Sequence, residues 1–166
     1  MAFRHSFLIH AAFGLAVVLA GGSGAEAQTL HPIPAAECQQ LAAKAQAAIG
    51  VAMRPGEDDF SDVVGRAEGR ACHITGSASN LNVASAADLM AKLVGVFADW
   101  REDPARAEGG ADGAEKGFTR GASVATVEVS WEPGPGANCS DKQPLSACQI
   151  SPQQKLWNVV IDAASR

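Results

Sequence analysis

The sequence predicts an α+β domain, a small two-layer sandwich with two helices packed on one face of a mainly antiparallel three-stranded sheet. The predicted order is helix, strand, helix, strand, strand. Three observations carry this. Two stretches repeat apolar residues at helical spacing, three alternate them with period two, and the last two strands close as a hairpin with every inward pair apolar.

Residues 1–27 read as a cleaved signal peptide. Arg4 supplies a positive start, an apolar run follows from Phe7 to Ala20, and Ala25-Glu26-Ala27 forms an A-x-A cleavage signal. The run is short for a transmembrane helix, and no later segment reaches 18 apolar residues. Residues 28–166 are then expected as a single globular α+β domain, periplasmic or secreted and free of the membrane after cleavage. Loss of Arg4 and Glu26 cancels, so the net charge stays at −5. That acidic balance argues against nucleic acid or an anionic membrane as partner.

The first stretch of the expected domain, "QTLHPIP", is punctuated by proline and expected to be extended. "AAECQQLAAKAQAAIG" is the first predicted helix, with Cys38, Leu41, Ala45 and Ile49 on one stripe and Gly50 as its stop. "MRPGEDDFSD" is expected as a loop, with Pro55-Gly56 as a turn signal. The acids Glu57, Asp58 and Asp59 lack the alternating ligands of a calcium loop and read as solvated.

"GRACHITGSAS" is the first predicted strand. Cys72 and Ile74 share one face; Ala71, His73 and Thr75 share the other. "SAADLMAKLVGVFADW" is the clearest helix, opened by Ser85 with Asp88 in a capping-box spacing and striped by Leu89, Leu93, Val96, Phe97 and Trp100. The following residues, about 101–117, are rich in glycine, alanine and charge and have no apolar period. They are expected as a mobile surface loop.

In "SVATVEVSW", Ala125, Val127, Val129 and Trp131 share a face. In "KLWNVVIDA", Trp157, Val159, Ile161 and Ala163 do the same, with Asn158 and Asp162 opposite. An antiparallel register that keeps these faces apolar sets Trp131 against Trp157, Val129 against Val159 and Val127 against Ile161. The same register carries Cys139 and Cys148 almost opposite each other.

Four cysteines lie beyond the cleavage signal, and an exported chain with an even count points to cystines. Their spacing fits neither a zinc site nor a C-x-x-C redox motif. The hairpin register favours Cys139–Cys148, which leaves Cys38–Cys72 to join the first helix to the first strand. Loop 139–148 is thereby closed by a disulfide.

Function is less legible. No nucleophile elbow, H-E-x-x-H helix or glycine-rich phosphate loop occurs, so no catalytic residue, metal or cofactor is assigned. The leading expectation is a noncatalytic module that contacts a protein or surface, with Asp141, Lys142 and Gln143 at the tip of the closed loop and Trp131 and Trp157 beside it as aromatic anchors. A second reading is a small apolar ligand held between helices and sheet near Phe97, Trp100, Val127 and Val129. A third is a hydrolase-type enzyme using His73, with Asp88, Glu128 or Ser130 as its partner; it requires an acid or nucleophile within hydrogen-bond reach.

Overall fold

The computed structural model describes residues 28–79, 81–110, 112–139, 145–148 and 150–166. The expected signal peptide, residues 1–27, lies outside the described residues. What the structure overturns is the small sheet. In place of three strands the described residues form a seven-stranded mixed sheet of β1 (Gln28–Pro32), β2 (Arg54–Asp62), β3 (Ala67–Ser79), β4 (Arg101–Gly109), β5 (Gly113–Arg120), β6 (Ser123–Pro133) and β7 (Lys155–Ser165), in spatial order β2-β3-β1-β7-β6-β5-β4. The expected order of helix, strand, helix, strand, strand is likewise overturned: one strand precedes the first helix, two lie between the helices and four follow the second.

Both helices form where the apolar stripes put them. Helix α1 spans Ala35–Ile49 and buries Cys38, Leu41, Ala42, Ala45 and Ile49; Gly50 ends it in the left-handed conformation, donating to the Gln46 carbonyl. Helix α2 spans Ala86–Val94 and continues as a 3₁₀ turn through Gly95–Phe97. Ser85 caps it by accepting from the Asp88 backbone N–H at 3.2 Å. The two helices lie on one face of the sheet and share a core with Ile74, Val127, Val129, Val159 and Ile161. Phe97 stacks on Phe118 at 4.4 Å between centroids, and Trp100 meets Phe97 edge-on at 5.8 Å.

Strand β3 (Ala67–Ser79) includes the expected first strand, while β6 (Ser123–Pro133) and β7 (Lys155–Ser165) are the expected hairpin. Their register pairs Trp131 with Trp157, Val129 with Val159 and Val127 with Ile161, as the apolar alternation requires. β7 also pairs directly with β3, from Cys72↔Ala163 to Ser79↔Leu156.

Two segments expected as loops are strands. "RPGEDDFSD" forms β2 (Arg54–Asp62), which pairs along β3 from Arg54↔Thr75 to Asp62↔Ala67. Residues 101–117, expected to be mobile, lie mostly in β4 (Arg101–Gly109) and β5 (Gly113–Arg120), paired antiparallel with a register shift between Asp103 and Glu108. The physical reason is the same for both misreadings. β2 and β4 are the edges of the sheet. Edge strands carry charge and proline, which deter pairing with other chains, and they bury too little to show an apolar period. Within β2 only Asp62 is fully buried, and within β4 only Arg106 is.

β1 (Gln28–Pro32) is a short wedge at the end where β3 and β7 diverge. It runs parallel to β3 at Gln28↔Ala67 through Leu30↔Gly69, then antiparallel to β7 at His31↔Ser165 and Pro32↔Ala164. The wedge needs glycine at 69, because a Cβ there would lie 2.1 Å from the Leu30 carbonyl oxygen. Gly69→Ala is expected to push β1 off the sheet and cost about 1–3 kcal/mol. Amide exchange at Leu30 checks this, and unchanged protection would refute the tight wedge.

The opposite edges of the sheet meet. Arg106 on β4 donates from Nε and Nη2 to the two carboxylate oxygens of Asp62 on β2, both at 2.9 Å. Arg166 at the end of β7 adds a third bond to Asp62 at 3.0 Å, and Asp103 takes Arg106 Nη1. Edges can touch only if the sheet rolls about the face turned away from the helices, so this end is a nearly closed roll. Its interior is a second, small core of Leu30, Ala67, Ala71, Val124 and Ala164, all at most 1% exposed. Three alanines inside let the strands curve tightly. The side chain of Arg106 lies over Gly117, where a Cβ would stand 2.3 Å from the arginine Cβ.

Candidate functional site

The inner face of the roll changes character away from the clasp. Along it, Gly56 of β2 pairs with His73 of β3, His73 with Asp162 of β7, and Asp162 with Thr126 of β6. Alternation places His73 and Asp162 directly beyond Ala71 and Ala164 of the small core. Both are polar residues set on strands whose other face is apolar, so neither can turn inward to the helices.

His73 Nδ1 lies 2.7 Å from Asp162 Oδ1, with the two side chains 28% and 17% exposed. A carboxylate accepts, so Nδ1 carries the hydrogen and the free nitrogen of the ring is Nε2. Burial pushes the Asp162 carboxyl above its usual range, partly offset by the hydrogen bond and charge of His73, with Asp58 adding repulsion.

Farther toward the open end, Glu115 of β5 faces Glu128 of β6 across the ladder. Glu108, Glu115 and Glu128 have no ion-pair partner among the described residues. Burial raises the Glu115 carboxyl, and the charges of Glu128, Glu108 and Asp162 raise it further. A cavity of about 330 Å³ opens here, lined by Glu108, Gly110, Gly113, Glu115 and Glu128. Among the described residues no group of three or more His, Cys, Asp or Glu is placed to hold a metal ion.

The residues expected to bind lie elsewhere. Trp131 and Trp157 are 5% and 1% exposed, and Lys155 Nζ covers the Trp131 ring at 4.0 Å. Both rings belong to the main core. Asp141, Lys142 and Gln143 lie outside the described residues. Phe97, Trp100, Val127 and Val129 are buried in the main core. Asp88, one expected partner of His73, is bonded to Ser85 at the start of α2 in the helical layer. The acid that does meet His73, Asp162, was visible only as an off-core position of its strand. Its pairing with β3 was the missing information.

Two cystines are formed. Cys38–Cys72 joins α1 to β3 with Cα atoms 5.8 Å apart, and Cys139–Cys148 closes the β6–β7 connection at 5.7 Å. Leu145, Cys148 and Ile150 pack against the main core beside it. Among the described residues no helix is long and apolar enough to cross a membrane. These features define a disulfide-bonded α+β domain with a helical layer on one face of a rolled sheet, and they are compatible with an exported protein. Compared with protein-family models, curated proteins and solved structures, the chain matches none.

Proposed function

We propose that the chain works in an oxidising compartment, periplasmic or secreted, as an interaction domain that meets a protein partner through loop 139–148. The observation that supports this reading is the Cys139–Cys148 cystine on the connection between two long central strands. A loop pinned at both ends to a rigid hairpin has little ordering left to do on binding, so more of its contact energy appears as affinity. Its flank, Leu145, Cys148 and Ile150, packs against the main core. Lys142 and its neighbours supply the polar contacts.

Affinity capture from the native exported fraction tests this, using the oxidised chain, a Lys142→Ala variant and a variant with residues 140–147 shuffled. Capture of one partner that weakens at least tenfold in both variants is expected. Undiminished capture by both would end the proposal. Matching thermal transitions of the variants and the parent separate lost contact from lost folding.

A further inference from the structure

We propose that the mouth of the rolled sheet is a second site, in which His73, positioned by Asp162, is a general base that activates water against a neutral or cationic carboxylic ester. Four features carry it. The Asp162 carboxylate occupies Nδ1 at 2.7 Å, which fixes the ring orientation and leaves the Nε2 lone pair as the acceptor. Nε2 has no hydrogen bond within the described residues. The pair is partly sheltered, since the Arg106–Asp62–Arg166 clasp and the small core close the roll on one side of it. Across β7, on the same inner face, lies the cavity bounded by Glu108, Glu115 and Glu128, whose lining includes neither His73 nor Asp162.

The reaction follows from one imidazole. Nε2 takes a proton from water as the water oxygen bonds to the carbonyl carbon. Collapse of the tetrahedral intermediate breaks the acyl–alkoxy C–O bond, and the proton on Nε2 passes to the departing alkoxide. An acid and an alcohol result, and Asp162 accepts from Nδ1 throughout. A positioned base supplies about 10²–10⁴-fold, which suits an activated ester rather than an amide. Charge selects the substrate. Asp58 of β2, Glu108 of β4, Glu115 of β5, Glu128 of β6 and Asp162 of β7 share the inner face with His73, as does the cation Arg54 of β2; the acids outnumber it, and the net field repels an anion.

The test uses the full chain with both cystines formed, and three oxygen esters: 3-acetoxy-N,N,N-trimethylanilinium as cation, 4-nitrophenyl acetate as neutral, and 4-acetoxybenzoate as anion. Saturable hydrolysis of the first two is expected. With them, His73→Gln and His73→Asn should each lower kcat by about 10²-fold. Asp162 is a positioning residue, so Asp162→Asn should lower kcat with KM unchanged and alter the pH profile of kcat. Parent turnover no faster than that of the His73 variants would overturn the site. So would an Asp162→Asn profile identical to the parent's. Partner capture through loop 139–148 is unaffected by His73→Gln, so the two proposals fail separately.

Discussion

Asp62→Ala is expected to destabilise the protein by about 3–5 kcal/mol, the cost of breaking a buried pair from one side. The Asp62 side chain is 2% exposed and that of Arg106 is 6% exposed, and their contact is bidentate. Removing the carboxylate leaves the Arg106 guanidinium buried without its main partner and frees Arg166. The two sheet edges then separate, and the small core beneath the clasp is opened to water. Chemical denaturation at pH 7 measures the loss, and a change under 1 kcal/mol would show that the edges do not depend on the clasp. Replacing both partners, as Asp62→Leu with Arg106→Met, should recover much of the stability, because an apolar pair carries no desolvation penalty.

The same carboxylate sets an acid limb. Burial alone would raise its pKa, but hydrogen bonds from Arg106, from the Gly65 N–H and from Arg166 outweigh burial and hold it below its ordinary value. A group depressed in the folded state stabilises fully above its unfolded pKa, about 3.9. That contribution is lost as pH falls through the folded pKa. Stability should therefore decline below about pH 4 in the parent, and less steeply in Asp62→Asn, which has no such proton to bind.

How far the fold could be read depended on where each strand sits. β6 and β7 are central, so their alternation of Val, Ile and Trp with polar residues recorded both the burial and the register. β2 and β4 are edges, and each shows the sequence of a solvated loop because its charge and proline guard an exposed ladder. The wedge β1 is held by Leu30 and one glycine opposite it, too little pattern for any period. The roll was illegible for a different reason. It rests on Asp62 meeting Arg106, two charged residues that look like ordinary surface in a local window. The His73–Asp162 pair was hidden in the same way. Each residue was correctly placed off the core, but β3 had no assigned neighbour, so nothing brought the two strands together. The cystines were legible because their chemistry restricts the choices: four cysteines allow three pairings, and the hairpin register favoured one.

That hidden asymmetry between well-patterned and poorly patterned elements also decides what the Cys38–Cys72 cystine does. Its removal by Cys38→Ala with Cys72→Ala is expected to cost about 4 kcal/mol for a sequence separation of 34, against about 3 kcal/mol for the separation of 9 at Cys139–Cys148. The two losses differ in kind as well as size. α2 is fastened by Leu89, Met90 and Leu93 and by the Phe97–Phe118 stack of its 3₁₀ extension. α1 buries Ala42 and Ala45 beside Cys38, with Leu41 and Ile49 as its large apolar contacts, and Pro34 at its start gives no side-chain cap. Alanine buries little area per residue, so packing alone holds α1 weakly. The buried cystine offsets this by joining the first turn of α1 to the inward face of β3, where Cys72 is 1% exposed. Without it, α1 should loosen before the sheet does. Amide exchange of the double variant should therefore show protection falling in 35–49 well beyond any fall in 86–94, while β6 and β7 keep theirs. Equal loss in both helices would mean that the cystine acts only on the unfolded chain and that the alanine face suffices to seat α1.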